Sequence, residues 1–461
     1  MSDYTSLTPA DLAQMLATIG VDSIEELLAA IPEDVRMREP LNLPAGRPEQ
    51  DVMAHLRALA GRNTSADDEI TFLGAGMYDH YSPALIESII LRSEFLTPYT
   101  PYQPEISQGG LQAMFEYQTA ISELTGLPVS NASLYEGPSA VASAAYMSKL
   151  ANGRAVFVVS RGVHPHARQA LATVAHGWGG RVVEVDLRDG ATDPADLLAH
   201  IGPDTCAVIV QQPNFLGAVE DLSPIADAAR AAGAVSICSA DPLTLGILEA
   251  PGNQGFEIVV GEGQTLGNRL DYGGPSFGFM AASADHMRRM PGRIAGETRD
   301  ADGRRGFVLT LQTREQHIRR EKATSNICTA QALNALAGVI YLSWLGRQGF
   351  PELGELLLQR TAYARTQLAR LDGVELIHDQ PVIREFAVRL DAPVDAVIAA
   401  CQQRGINPGF ALEDEYPEYA GGLLVAITEQ RSRADIDLLV DTLGGVLAAL
   451  DAPSAGVEVT R

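Results

Sequence analysis

The middle of the chain, from about residue 135 to residue 280, alternates short β-rich runs with helical stretches. Six runs have apolar centres rich in Val, Ile and Phe: 155–160, 181–186, 206–213, 234–241, 256–263 and 277–283. Ala- and Leu-rich segments, such as 165–175 and 224–232, separate the earlier runs. Apolar strands joined by helical crossovers predict a mostly parallel sheet covered by helices on both faces. We therefore expect a large α/β domain over residues 66–328.

The N-terminal part has a helical pattern of its own. Leu12, Met15, Leu16 and Ile19 fall on one helical face, behind a Thr8 that precedes a proline at a natural first helical position. Residues 40–48 contain three prolines and a glycine and predict an extended linker. The pattern predicts an N-terminal helical segment and linker over residues 1–65.

A long helical pattern starts near residue 329 and is interrupted by Gly346 and Gly349. After Gly373, an alternating run at 384–390 precedes a helical segment, a second strand and a final helix; these later elements are 393–404, 423–429 and the segment that opens at Ser432. This order predicts a linking helix and a small C-terminal α+β domain over residues 329–452. Residues 453–461 are expected to form a flexible tail.

Composition narrows the classes of function. The chain has 461 residues, of which 46% are hydrophobic and 20% charged, so a sizeable core is expected and disorder of the whole chain is excluded. Asp and Glu outnumber Lys and Arg by 58 to 34, and the formal net charge of −24 disfavours nucleic acid and anionic lipid surfaces as partners. Without a leader pattern or an apolar run of about 18 residues, we expect a cytoplasmic protein that does not span a membrane.

Cysteine and lysine usage bears on the chemistry. Cys206, Cys238, Cys328 and Cys401 are widely spaced and form no CxxC pair, so free thiols and no metal site are expected. Lys149 and Lys322 are the only lysines in the sequence.

A dinucleotide-binding site is not supported. The run GAGMYD, residues 74–79, begins like a GxGxxG fingerprint, but Asp79 stands where the third glycine allows close helix packing. No GxxxxGK[ST] loop occurs either.

The run TPYTPYQPEISQG, residues 97–109, contains three prolines and cannot form an ordinary helix or central strand. We call it the arm. It is expected to display Tyr99, Tyr102, Gln103 and Glu105 near an interface or substrate, and a plain surface connector is the alternative. Two more polar loops, 131–140 and 261–278, are glycine-punctuated, and the second is long for a simple connection.

Several long motifs together resemble the glycine dehydrogenase (decarboxylating) family, the P-protein of the glycine cleavage system. They are ITFLGAGMYDHY, the arm, GEGQTLG followed by GGPSFG, and REKATSNICTAQAL at 320–333. The resemblance runs from about residue 3 to residue 450, and in length and start it is similar to the alpha chain, subunit 1, of the two-chain bacterial form. It implies the fold type I architecture of pyridoxal phosphate (PLP) enzymes.

In that fold the resemblance points to three cofactor-binding positions. The phosphate loop matches residues 137–140, where backbone N–H groups near Ser139 suit an anion. His164 stands at the position that stacks on the cofactor ring, and Asp241 at the position that pairs with the pyridine nitrogen. A helix cap at Ser139, an ordinary loop histidine and a turn cap at Asp241 remain open alternatives.

The position of the cofactor lysine decides the assignment. The resemblance places it after the strand FEIVVG, and the residue there is Gln264. An imine needs a primary amine, which glutamine and arginine lack. Lys149 and Lys322 have the sequence context of a helix end and of a surface charge. The chain is therefore expected to keep a vestigial pocket of Ser139, His164 and Asp241 without the covalent cofactor bond.

The resemblance implies a shared active site. Glycine would react with PLP held by a beta subunit, lose its carboxylate as CO2, and pass its aminomethyl group to the lipoyl arm of H-protein. This chain would complete the site as the alpha subunit of a heterodimer or its dimer. A noncatalytic scaffold or regulatory subunit is the second hypothesis, and an autonomous PLP decarboxylase or aminotransferase is the third.

Overall fold

The computed structural model describes residues 6–37, 39, 41–274, 276–325, 327 and 330–451. The chain divides into two compact units, residues 1–64 and residues 65–461. The expected tail at 453–461, residue Pro40 of the expected linker and Cys328 lie outside the described residues. The domain boundaries expected from the sequence, at 65/66, 328/329 and 452/453, stay predictions.

The first unit is helical. It contains α1 (Pro9–Ile19), α2 (Ile24–Leu27) and α3 (Glu49–Ala60). Thr8 caps α1, since its hydroxyl accepts a hydrogen bond from the Asp11 N–H while the Asp11 carboxylate accepts from the Thr8 N–H. Gly20 ends the helix at φ 86°, a left-handed conformation that glycine adopts without strain.

The second unit begins with elements that surround and build a central sheet. In chain order these are β1 (Ile70–Thr71), α4 (Ala84–Ile90), α5 (Ser93–Leu96), α6 (Gln108–Thr125), β2 (Val129–Ser130), α7 (Gly137–Asn152), β3 (Val156–Ser160), α8 (Pro165–Gly177), β4 (Arg181–Val185), β5 (Leu187–Arg188), β6 (Ala191–Thr192), α9 (Pro194–Ala199), β7 (Thr205–Gln212), α10 (Ser223–Ala231), β8 (Val235–Ala240), β9 (Ile258–Glu262) and β10 (Gly278–Ala282).

Within the described residues, the central sheet has the strand order β2-β10-β9-β8-β7-β3-β4. The pairs from β9 to β4 are parallel, whereas β10 runs antiparallel to β9 and β2. Alternate strand residues enter two apolar layers, with Val208 and Val259 on one face and Ile209 and Val260 on the other. The expected mostly parallel sheet with two covered faces is confirmed.

The remaining elements begin with a two-stranded ribbon, which the sequence reading missed. They are β11 (Ile294–Arg299), β12 (Arg305–Thr310), α11 (Gln316–Arg319), α12 (Ala332–Leu368), β13 (Val374–Leu376), β14 (Glu385–Leu390), α13 (Val394–Gln402), β15 (Ile406–Asn407), β16 (Phe410–Ala411), β17 (Gly422–Ala426) and α14 (Arg433–Asp451). The strand order β13-β14-β17-β16 forms an antiparallel sheet with its own apolar cluster, which includes Phe386, Val397 and Leu443.

The long helix α12 differs from the expectation at one point. It bends at Gly346, where φ is 65° and ψ is −174°, and then continues past Gly349 to Leu368. The second half is held because Leu353, Leu357 and Leu368 are buried against the rest of the unit. A break at Gly349 was therefore wrong, since packing of the apolar face outweighs the low helix propensity of glycine. No helix in the described part of the chain is long and apolar enough to cross a membrane.

Candidate functional site

A cavity of about 370 Å³ lies at the carboxyl ends of the parallel strands. The strand ends contribute Gln211 from β7, Asp241 after β8 and Glu262 from β9. The first residues of α7 and α8 and the segment 75–78 close its sides. Ligands of open α/β sheets bind at this edge, because the loops and helix N-termini that follow the strands converge there. We call it the sheet-edge cavity.

The structure brings two of the three expected pocket residues together. His164 and Asp241 both line the sheet-edge cavity. Ser139 does not line it and instead faces a separate cleft beside Tyr146 and Trp178. Ser139 therefore does not share a cavity with the other two: it is the third residue of α7, and its hydroxyl donates back to the Glu136 carboxylate.

The N-terminus of α7 is occupied by carboxylates. Glu136 is the N-cap residue, and its carboxylate accepts hydrogen bonds from the Ser139 N–H at 3.2 Å and the Ser139 hydroxyl at 2.6 Å. The Gly137 N–H donates to Glu262 Oε2 at 2.9 Å. Carboxylates are favoured here because the helix dipole and the free N–H groups of the first turn attract negative charge. The N–H groups expected to be free are therefore paired. Ser139 does take part in the cap, as the N3 residue of a capping box in which its hydroxyl accepts the Glu136 N–H at 3.4 Å.

Glu262 is the centre of this arrangement. Its Oε1 atom accepts the Gln264 N–H at 3.0 Å and the Ser276 hydroxyl, while its Oε2 atom accepts the Gly137 N–H. Burial raises the pKa of Glu262, and the hydrogen bonds from Ser276, Gly137 and Gln264 oppose that rise. The Glu262 side chain thus takes up the Gly137 N–H that the sequence had suggested for a bound anion.

His164 starts α8 and is held through both ring nitrogens. Its Nε2 atom lies 2.9 Å from the Ala75 carbonyl oxygen, and its Nδ1 atom accepts the His166 N–H at 3.1 Å. Since a carbonyl oxygen only accepts, these partners assign the proton to Nε2. Burial lowers the pKa of His164 to about 4, so the ring is neutral at pH 7. The ring meets Phe215 edge-on, with centroids 4.9 Å apart.

Asp241 follows β8 and is bound to an arginine that sequence reasoning missed. Its Oδ1 atom accepts the Leu243 N–H at 3.1 Å, which is the expected turn cap. Its Oδ2 atom forms an ion pair with the Arg384 guanidinium. Arg384 also donates to His80 Nε2 at 2.8 Å and lies over the Tyr78 ring, 3.4 Å from its centroid. The Asp241 carboxylate is therefore already paired with a cation of the protein, Arg384.

Gln264 is 2% exposed and is not among the residues that line the cavity. Its Oε1 atom accepts the Tyr78 N–H at 3.0 Å, and its Nε2 group donates to the Tyr78 carbonyl at 3.1 Å and the Asn268 carbonyl at 2.9 Å. Both N–H groups of the amide and one lone pair of its oxygen are thus used within the protein. Neither Lys149, near the end of α7, nor the exposed Lys322 lines the cavity.

These contacts test whether PLP fits the residues present. A covalent cofactor needs a primary amine, a phosphate needs free donors, and a pyridinium needs a free carboxylate. Gln264 stands where the amine would have to be. Glu262 accepts the N–H group at the start of α7, and Arg384 is paired with the carboxylate of Asp241. The cavity of this chain does not fit PLP as a bound cofactor.

The arm lies elsewhere in the second unit. Tyr99 and Tyr102 are 72% and 52% exposed, and Gln103 and Glu105 are exposed as well. The Tyr102 hydroxyl accepts from Arg293 Nη2 at 3.1 Å, and the same guanidinium stacks on the Tyr102 ring at 5.4 Å. The arm also borders an apolar groove of about 370 Å³ against α6 and α12. Among the described residues, this groove and the sheet-edge cavity share no lining residue.

Comparison with known proteins gives a consistent assignment. The family model described as glycine cleavage system P-protein matches residues 2–443. The chain is 47% identical to the probable glycine dehydrogenase (decarboxylating) subunit 1 of Desulforamulus reducens, over 95% of this chain and 98% of that protein. It is 48% identical to the protein of the same name from Carboxydothermus hydrogenoformans, over 96% of this chain and 99% of that one.

Solved structures agree. A crystal structure of glycine decarboxylase, the P-protein of the glycine cleavage system, in inhibitor-bound form superposes with a TM-score of 0.87 at 42% identity, covering 96% of this chain and 100% of that chain. A cysteine desulfurase from Escherichia coli has a TM-score of 0.63 at 15% identity, covering 84% of this chain and 96% of that chain, and supports the fold alone. The expected fold type I architecture of PLP-dependent enzymes is confirmed. The chain belongs to the glycine cleavage system P-protein family.

Proposed function

We propose that this chain is the alpha subunit of a two-chain glycine decarboxylase and that a beta subunit holds the PLP of the shared active site. Gln264 carries this proposal, because the residue at the lysine position is a buried amide with all its partners inside the protein. The relatives with 47% and 48% identity are named subunit 1, which supports a second subunit as partner. The residues that bind PLP and react through it are then those of the beta subunit.

The reaction follows from the family. The complex decarboxylates glycine and transfers the remaining aminomethyl group to the lipoyl arm of H-protein, in the cytoplasm. For this chain, we assign the arm to the shared site, with Tyr99, Tyr102, Gln103 and Glu105 on the side that meets the substrate or the partner. Support comes from the exposure of both tyrosine rings in a proline-stiffened segment, since such rings are enriched in protein interfaces. Arg293 holds Tyr102 in place through a hydrogen bond to its hydroxyl and a guanidinium contact with its ring.

Cofactor absorbance tests the proposal. The chain purified alone with added PLP should be colourless, and the absorbance band of an internal imine should appear only when the partner chain is co-purified. A yellow chain without partner would overturn the proposal and favour an autonomous PLP enzyme. Lys149→Arg and Lys322→Arg in the complex serve as controls, because neither lysine lines the sheet-edge cavity.

A noncatalytic scaffold is the second candidate, and one observation favours it. The polar groups of the sheet-edge cavity pair with each other, as Asp241 with Arg384 and Glu262 with Gly137. His164→Trp fills this cavity, so it distinguishes a cavity that serves turnover from one that serves assembly only. An intact complex with unchanged glycine decarboxylation would remove the cavity from the reaction and leave the arm as the contribution to test.

A further inference from the structure

Side-chain contacts attach the arm to the ribbon β11–β12 and to the residue that precedes it. Gln108 Nε2 donates to the Pro104 carbonyl at 2.6 Å and to the Phe307 carbonyl in β12 at 2.9 Å, and Gln108 Oε1 accepts the Phe307 N–H at 2.8 Å. Arg293, directly before β11, donates to the Tyr102 hydroxyl. The ribbon and its entry segment are thus where the arm is seated.

Arg293 is a buried cation that binds an exposed ring. It is 6% exposed, whereas Tyr102 is 52% exposed. Burying a guanidinium costs free energy unless it is paired. Glu315 supplies that pairing, because its Oε2 atom lies 3.9 Å from Arg293 Nε and both side chains are almost fully buried. A guanidinium with a buried counter-ion is thus directed at a side chain of the arm.

The backbone around Arg293 is fixed as well. The Arg314 guanidinium donates to the Gly292 carbonyl at 3.1 Å and to the Met290 carbonyl. The Ala132 N–H donates to the Arg293 carbonyl at 2.8 Å. Arg314 and Glu315 are neighbours in the chain, so one short segment holds the approach to residue 293 and its side chain together. Arg293 therefore presents its N–H groups to the arm from a fixed position.

The hydrogen bond to Tyr102 has only one possible direction. Arginine carries donors and no acceptor, so the Tyr102 oxygen accepts and its own proton points away from the guanidinium. A hydroxyl that accepts a hydrogen bond is polarised and becomes a stronger donor. The geometry therefore fixes the ring and also decides which way the hydroxyl donates.

We propose that Arg293, with Glu315 as its counter-ion, is a positioning residue of the shared active site. It acts through Tyr102, whose ring it holds and whose hydroxyl proton it directs to the side where the arm meets the substrate or the partner. The proposal rests on the assignment of the arm to that site. It adds a buried pair, remote from the sheet-edge cavity, on which turnover depends.

A double-mutant cycle in the complex with the beta subunit tests the proposal, because a residue that acts through Tyr102 loses its effect once that ring is absent. Arg293→Ala should lower glycine decarboxylation about tenfold, as Tyr102→Ala does, and the double variant should stay within about twofold of either single variant. A loss of about a hundredfold in the double variant would overturn the proposal, since the two residues would then act independently. An unchanged rate for Arg293→Ala would also overturn it.

Two conservative variants keep the test decisive if Arg293→Ala does not fold. Glu315→Gln keeps the size of the side chain but removes the charge, and it should lower the rate about threefold in the parent complex and less than twofold in the Tyr102→Ala background. Arg293→Lys keeps the charge without the planar fork and should retain part of the rate. The same loss from Glu315→Gln in both backgrounds would show a structural role and contradict positioning.

Arg305 offers the matched control. It lies in β12 of the same ribbon, with its guanidinium 5.0 Å from the centroid of the Phe307 ring and 2.9 Å from Glu297 Oε2. Arg305→Ala removes a cation and a ring contact but leaves Tyr102 held, so the rate should stay within about twofold of the parent. A tenfold loss for this variant would assign the effect of Arg293 to the ribbon in general and overturn the proposal.

Cofactor absorbance separates this inference from the proposed function. The complex with Arg293→Ala should keep the absorbance band of the internal imine, and the band should still require the beta subunit. A band in the chain alone would contradict the shared site itself. A partner-dependent band together with an effect of Arg293 that does not depend on Tyr102 would overturn this inference and leave the shared site standing.

Discussion

The sheet-edge cavity and the arm treat their side chains in opposite ways. In the cavity, Asp241 pairs with Arg384 and Glu262 accepts N–H groups, so the charged groups are matched within one chain. In the arm, Tyr99 and Tyr102 leave most of their ring surface in solvent. Buried polar groups cost free energy unless they are paired, whereas exposed ring surface gains free energy only when a partner covers it. The polar groups of the cavity are thus satisfied within this chain, whereas the arm has the exposed aromatic composition of a protein interface.

The largest effect is expected where the cavity loses its central cation. Arg384→Ala leaves the Asp241 carboxylate without its ion pair and His80 Nε2 without its donor, inside a buried network. Removing one partner of a buried ion pair costs about 3–5 kcal/mol, so the free energy of unfolding should fall by that amount in urea titrations. The matched control is Arg389→Ala in β14, the strand that begins directly after Arg384, where the pair with Glu375 is exposed and a loss below about 1 kcal/mol is expected. Similar losses in both variants would contradict the buried network.

Acid should weaken the cavity through His164. In the folded protein its pKa is lowered to about 4, whereas the unfolded chain binds this proton near the ordinary value of 6.5. Between these values the unfolded state holds more protons, so stability is present above about pH 6.5 and is lost as pH falls toward 4. The slope from this group is at most about 1.4 kcal/mol per pH unit. His164→Phe should flatten the slope of unfolding free energy between pH 6 and pH 4.5, and an unchanged slope would assign it to other groups.

The arm should affect turnover rather than stability. Tyr102→Ala removes the ring that Arg293 holds, and in the complex with the partner chain we expect glycine decarboxylation to fall about tenfold while association is retained. Tyr102→Phe keeps the stacking on Arg293 and should recover part of the rate. Isotope release from carboxyl-labelled glycine measures the rate, and size-exclusion chromatography measures association. An unchanged rate for Tyr102→Ala would remove the arm from the mechanism.

The smallest effect is expected outside both regions. Lys322 is exposed and Lys149 is at the end of α7, so their replacement by arginine keeps the charge and removes the only primary amines of the side chains. Decarboxylation and cofactor absorbance of the complex should stay within about twofold of the parent values, as for most surface substitutions. Loss of the absorbance band in either variant would place the imine on this chain and contradict the assignment to the partner.

The sequence predicted more of the structure around the cavity than of the arm. Hydrophobic runs with helical crossovers predicted the parallel sheet. The family resemblance, and not the pattern, placed His164 and Asp241 in one pocket, and in the structure both line the sheet-edge cavity. Ser139 was misplaced because it lies at N3 of α7, where its hydroxyl turns back to the Glu136 carboxylate. The ribbon β11–β12 was missed because each strand has a charged, exposed end, at 297–299 and at 305, and a glycine within it, which leaves only a short apolar stretch. For the arm, composition predicted an ordered extended segment, and its role at the interface stays a prediction.

Glu262 and Arg384 were invisible to local pattern for a physical reason. Glu262 ends β9 and Arg384 directly precedes β14, and nothing in the residues around either one shows which partner its charged side chain will meet. The Gly137 N–H and the Glu262 carboxylate are 125 positions apart in the chain. Such pairs are decided by how strands and helices pack, which a local periodicity does not encode.

By itself, the sequence determined the class of fold, through the period of its apolar residues, and the absence of a lysine at position 264, through simple identity. Tertiary structure decided what replaced the missing chemistry: a buried amide tied to Tyr78, a carboxylate at the first turn of α7, and an arginine on Asp241. The reason is that residue identity fixes which bonds a side chain is able to make. Only the folded arrangement fixes which partner is within reach and how much water has been removed from the pair.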